Sequence, residues 1–296
     1  MATLLFSATA CGGTKKKDLG PVDVVIISGQ SNAVGCTYID GLHDTMEDKY
    51  QEFEEGYPEI KMAYDNWTKD WPSPGVITFY SQQTSGNNGF VPVKLGQGNQ
   101  ELTFGPEIGI AEALHEKYAN KLFLIKFACG GSNLKDDWMN RDSEMFPRMM
   151  EYIAKQMASL KKQGYTPTIK AFCWMQGEGD SYQGYYQLYK QSLETFVGNL
   201  REDLAKYTNG KTLPFIDAAI SLADVWPNPE AVNWMKYQFS LESEYNIYID
   251  TNAAGMHTDQ EPMFEPDPCH YDSDSEVLLG HLFADAFEQF LEPIEK

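Results

Sequence analysis

Basic residues are scarce in this chain. Against 43 Asp and Glu, its 296 residues include only 23 Lys and Arg, a formal net charge of −20 at pH 7. Nucleic-acid binding needs a basic face to neutralise phosphates, so the charge argues against that class of function. A polyanionic substrate is disfavoured unless a local basic pocket serves it. Cysteine is sparse too. Cys11, Cys36, Cys129, Cys173 and Cys269 form no CxxC pair and no finger spacing, which argues against a structural zinc site. Cys129 and Cys173 sit near the ends of apolar runs and read as buried free thiols. Nowhere does the sequence reach the roughly 20 consecutive apolar residues of a membrane span. It also lacks internal repeats.

What is present suits a single α/β domain with insertions. The length is within reach of one such domain, and a hydrophobic content of 42% supplies a sizeable core. The first 20 residues stand apart. MATLLFSATAC is a short apolar run ending in small residues and Cys11, and GGTKKKDLG follows as a polar tether. This is similar to the tail of a bacterial lipoprotein signal, in which the cysteine is lipidated. The expectation is an exported protein, periplasmic or at the cell surface, that meets a membrane only through an anchor at Cys11. The folded domain then covers 21–296.

Five apolar runs read as buried strands: Val22–Ile27, Leu122–Ala128, Ile169–Met175, Pro214–Ile220 and Ile247–Asp250. Helical spacing appears over Pro106–Tyr118, Glu144–Gln163, Tyr182–Ala205, Glu230–Glu244 and Ser275–Leu291. Alternation of strand and helix predicts a parallel sheet with helices on both faces. The stretch from about 40 to 104 breaks this rhythm and is rich in turn residues and aromatics. It reads as a long insertion over the site rather than a second domain.

In such sheets ligands bind at the carboxyl ends of the strands. Chemistry-bearing clusters follow the predicted strands there. Gly29-Gln30-Ser31-Asn32 follows the first and offers an exposed serine whose N–H points toward a developing oxyanion. Alone, that serine reads as an ordinary helix cap. Gly130-Gly131-Ser132-Asn133 follows the second, with Gly131 N–H as a second oxyanion donor. Gln176-Gly177-Glu178-Gly179-Asp180 follows the third. Gln176 offers a side-chain donor, and Glu178 with Asp180 raises a paired-carboxylate alternative of the glycosidase kind. Both fall in one tight turn, which argues against their facing each other across a sugar.

The fourth cluster is Asp267-Pro268-Cys269-His270. A histidine must accept the serine proton, and a carboxylate must orient it. Only five histidines exist. His43 and His115 fall in a loop and a helix, and His281 lies on the last helix. His257, with Asp259 two residues on, is the competitor to His270. After His270, Asp272–Ser275 can cap a helix, whereas the run after His257 cannot open one cleanly.

Taken together, these blocks resemble the SGNH hydrolases, and within them the branch of sialate O-acetylesterases and family 6 carbohydrate esterases. The shared features are GQSN, FGPE at Phe104–Glu107, GGS with Trp138 downstream, W-x-QGE-x-D from Trp174, and Asp267-x-x-His270 followed by Leu279-Gly280. The resemblance spans about Val22 to Phe290. It implies a three-layer, flavodoxin-like α/β/α sandwich on a five-stranded parallel sheet. It implies a triad of Ser31, His270 and Asp267, and an oxyanion site of Ser31 N–H, Gly131 N–H and the Gln176 side chain. Glu178 is an auxiliary acid candidate behind His270. The implied activity is removal of acetyl groups from glycans, either acetylated xylan-type polysaccharide or O-acetylated sialic acid, with no metal and no organic cofactor. The alternative is an inactive relative that binds carbohydrate through its aromatics.

Overall fold

The computed structural model describes residues 17–261 and 267–293. Cys11 and most of the lipoprotein-like segment lie outside these. In chain order the elements are β1 (Gly20–Gly29), α1 (Ser31–Val34), β2 (Thr37–Tyr38), α2 (Asp40–Thr45), α3 (Glu47–Glu55), β3 (Tyr57–Ser73), β4 (Val76–Thr84), β5 (Val91–Val93) and β6 (Thr103–Phe104). They continue with α4 (Glu107–Leu114), β7 (Leu122–Gly130), α5 (Met145–Gln163), β8 (Tyr165–Met175), α6 (Tyr189–Leu204), β9 (Phe215–Ala218), α7 (Pro229–Ser240), β10 (Asn246–Ile249) and α8 (Ser273–Glu288).

All five predicted runs are strands of one sheet, ordered β10-β9-β8-β1-β7-β3-β4, with β5 paired to β3. Contacts from β10 through to β3 are parallel, while β4 and β5 run antiparallel to β3. β1 is central and reads as a continuous apolar run because both its faces are covered. Val24, Val25, Ile26 and Ile27 are fully buried, each burial contributing about 1.5–3 kcal/mol.

Adjacent strand residues point to opposite faces, which fixes the layers. Phe127 packs against Tyr152 of α5, whereas Lys126 pairs with Glu107 of α4. Phe196 of α6 meets both Phe146 of α5 and Phe215 of β9, and Lys236 of α7 pairs with Asp217. Helices α5, α6 and α7 therefore share one face, and α4, which packs on α8, lies on the other. This is a three-layer α/β/α sandwich.

One expectation needs correcting. The stretch 40–104 is not simply an insertion over the site. It supplies β3, a sixth parallel strand whose register with β7 runs from Lys61↔Phe123 to Thr68↔Gly130. The sheet thus exceeds the five strands implied by resemblance. The apolar part of β3 is short and interrupted, with Ile60 and Met62–Tyr64 buried and Glu59, Lys61 and Asp65 only partly so. That pattern suits a strand near the sheet margin rather than a continuous apolar run.

Candidate active site

β1 lies between β7 and β8, where the order of parallel strands reverses direction, and a ligand crevice opens at such a switch point. The three strand ends are level: Gly29 is in register with Ala128 on one side and Met175 on the other. Gly29 is glycine because φ is +143° and an added Cβ would sit 1.9 Å from the Met175 carbonyl oxygen. The next residue, Gln30, donates its N–H to that carbonyl at 2.9 Å.

Ser31 opens α1, which is only four residues long. So short a helix has little macrodipole, and the local backbone N–H groups matter more. Lys126 fixes the far end of α1 by donating from Nζ to the Val34 carbonyl at 2.9 Å. Ser31 is 8% exposed. Among the described residues its N–H and that of Gly131 are claimed by no carbonyl. Gly130 faces Ser31 closely, an added Cβ there lying 3.9 Å from the serine Cβ. Gly131 has φ +71°. The turn after it is braced by a buried Lys69–Asp137 ion pair at 2.8 Å, and Asp137 accepts the Asn133 N–H at 2.8 Å.

Gln176 is placed differently from the sequence expectation. Its amide nitrogen donates to Gln30 Oε1 at 3.2 Å and to Asp180 Oδ2 at 2.5 Å. Its oxygen accepts from the Tyr189 hydroxyl at 3.2 Å. Both amide hydrogens are committed, so none is left for an oxyanion, and the residue acts as a buried joint between β1 and β8.

The two carboxylates of the third cluster are buried and engaged. Asp180 accepts the Leu134 N–H at 2.7 Å as well as Gln176, and burial pushes its pKa up to about 6. Glu178 Oε1 accepts from Asn32 Nδ2 at 2.9 Å, and burial raises its pKa. Neither carboxylate is open to a sugar, which removes the glycosidase geometry. Glu178 makes no hydrogen bond to His270.

His270 does meet Asp267, with Nδ1 2.6 Å from Oδ2. The Cys269 N–H also donates to Asp267, at 2.9 Å. The bond to His270 lowers the Asp267 pKa. Burial opposes a charged imidazole at His270, but the bond to Asp267 and the nearby Cys36 thiol outweigh it and raise the pKa. The next residue ties this turn to the start of α1 beside Ser31, since Tyr271 N–H donates to Asn32 Oδ1 at 3.2 Å. Ser31 Oγ itself makes no hydrogen bond among the described residues. His257, the competitor, pairs not with Asp259 but with Asp272, Nδ1 to Oδ2 at 2.6 Å, and its Nε2 lies 3.5 Å from Asp274.

Two residues of the first block were overlooked as functional. Asn32 bridges the first block to Glu178 and to Tyr271. Gln30 Oε1 accepts from Gln176, Gly177 and Gly179. Both lie inside the GQSN motif, whose uninterrupted polar character directly after a buried strand was the available signal.

The family model for carbohydrate esterase, sialic acid-specific acetylesterase matches residues 21–289. The chain belongs to this family. It is a serine esterase, and the family places it among enzymes acting on acetylated carbohydrate. Solved structures agree on the fold. A protein from Arabidopsis thaliana is 20% identical, with 92% of this chain and 100% of that one covered at a TM-score of 0.60. NanS is 17% identical, with 91% and 97% covered at 0.59. A carbohydrate acetylesterase from Xanthomonas citri is 12% identical, with 91% and 56% covered at 0.56. No curated protein matches the chain.

Proposed function

We propose that this esterase removes acetyl groups from neutral glycans, using Ser31 as nucleophile, His270 as base and Asp267 as the acid that orients it. The observation that carries this reading is the 2.6 Å His270–Asp267 pair, held beside α1 by the Tyr271–Asn32 bond. His270 takes the Ser31 proton as the oxygen attacks the acetyl carbonyl. The N–H groups of Ser31 and Gly131 receive the oxyanion. His270 then protonates the departing sugar hydroxyl, and water repeats the sequence on the acetyl-enzyme. Contacts between catalytic groups commonly tighten only when substrate binds, which accommodates the unbonded Ser31 hydroxyl.

The charge of the cavity beside the His270 turn supports a neutral glycan over sialic acid. A cavity of about 530 Å³ beside the His270 turn is lined by Asp224, Asp259, His257 and Pro268, and among the described residues that line it there is no lysine or arginine to meet a sugar carboxylate. Export and anchoring through Cys11 complete the proposal. Membrane fractionation of the full chain against Cys11→Ala tests that part.

Ser31→Ala is expected to lower turnover of p-nitrophenyl acetate by on the order of 10⁴ or more. Acetate release across acetylated xylan, pectin and sialosides ranks the substrates, with xylan or pectin expected ahead. A second reading, an inactive carbohydrate-binding relative, draws on the unbonded Ser31 hydroxyl. It prevails if the parent protein binds glycan but releases no acetate.

A further inference from the structure

The sheet margin beyond the site carries a group of exposed aromatics that the chemistry does not use. Trp234 and Tyr237 lie three apart on α7, on one helix face, and are 56% and 41% exposed. Their ring centroids are 5.7 Å apart, and Tyr237 in turn meets Tyr248 of β10 at 5.9 Å. Large aromatics left in water on a helix that buries its other face are not core residues. They line a cavity of about 350 Å³ together with Glu230 and Asp250, two exposed acceptors. Its inner wall is rigid. Asn233 exchanges two hydrogen bonds with the Ile220 backbone, and Asn252 holds Ile220 and Leu222.

This cavity adjoins the one beside the His270 turn. Leu222 and Asn252 line both. The two cavities thus flank the loops after β9 and β10, one reaching Pro268, two residues before His270, and the other the aromatic group on α7. Flat apolar rings flanked by carboxylates, without a lysine or arginine, match the apolar faces and hydroxyl edges of neutral pyranose rings.

We propose that Trp234, Tyr237 and Tyr248 form a remote subsite for the neutral backbone of an oligo- or polysaccharide whose acetyl group is presented at Ser31. This rests on the glycan reading above and deepens it, because a subsite at that remove has no use for a single free sugar. It binds backbone, not ester, so its contribution falls on KM rather than on kcat.

Trp234→Ala, with Trp234→Phe as the conservative variant, tests this against two substrates. With acetylated xylan the Ala variant is expected to raise KM about fivefold to tenfold at unchanged kcat, the effect of removing one aromatic anchor. The Phe variant should recover most of the loss, and p-nitrophenyl acetate turnover should be unchanged in both, which also reports intact folding. An unchanged KM on xylan overturns the subsite. A dimer in the parent protein that becomes monomeric in Trp234→Ala, with KM unchanged, shows instead that a second copy covers this face. If the parent releases no acetate from any glycan, the glycan reading fails separately. Calorimetric titration of xylohexaose into parent and Trp234→Ala proteins then judges the subsite directly: binding lost in the variant supports it, and no binding to the parent overturns it.

Discussion

Two His–Asp pairs stand near the carboxyl edge of the sheet, and by distance alone they are indistinguishable. His270–Asp267 and His257–Asp272 both close at 2.6 Å, and the two imidazoles are similarly exposed. Their surroundings separate them. Asp272 also accepts the N–H groups of Gln260 and Glu261 at 2.7 and 3.2 Å, and its own N–H donates to the His257 carbonyl. The second imidazole nitrogen of His257 faces Asp274. That pair is closed on itself and knits the loop after β10 to the start of α8. Among the described residues Asp267 holds only its own turn, and the residue after His270 reaches Asn32 beside Ser31. A His–Asp distance identifies an oriented imidazole, while the next bond outward says what it is oriented for.

The sharpest way to break this contrast is to remove each ring. His270→Ala is expected to lower kcat/KM for p-nitrophenyl acetate by on the order of 10⁴, as loss of a triad base does. His257→Ala should stay within about threefold, since it removes no group from the reacting centre. Equal losses would erase the distinction.

The carboxylates come next. Asp267→Asn should lower kcat/KM on the order of 10³, through loss of imidazole orientation. Asp272→Asn should act on stability instead, by about 1–3 kcal/mol in chemical denaturation, because His257 and the N–H groups of Gln260 and Glu261 lose a charged acceptor.

The pH profile gives a smaller but more specific effect. His270 must be neutral to act as base, and its raised pKa holds the proton to higher pH. Activity should therefore rise with pH through an apparent pKa above the ordinary histidine value of about 6.5. Removing the Asp267 charge takes away a raising influence, so the residual activity of Asp267→Asn should show an acid limb shifted to lower pH. An unshifted limb would assign it to another group.

The same contrast marks what was legible in the sequence. The five strands announced themselves as β-branched runs, and three polar clusters followed strands directly, while the Asp267–His270 turn came after a long excursion and was joined to Ser31 and Gly131 by the family resemblance. β3 escaped because its buried apolar run, Met62–Tyr64, is short and flanked by polar residues, and its last four residues, to Ser73, are exposed. The partner of His257 escaped because Asp272 is fifteen residues on, brought back by the opening of α8, and spacing favoured Asp259 instead. Gln176 was misjudged for a related reason: residue type offers a donor, but only the fold shows that Gln30 and Asp180 already hold it.

Covalent labelling of the nucleophile tests the central assignment most directly. The parent protein, His270→Ala and His257→Ala are each exposed to a p-nitrophenyl phosphonate ester, and the modified peptide is mapped by mass spectrometry. The expected result is one adduct on Ser31, formed at the parent rate in His257→Ala and nearly abolished in His270→Ala. An adduct on another residue, or equal labelling of Ser31 in His270→Ala, would contradict the assignment of Ser31 and His270 as nucleophile and base.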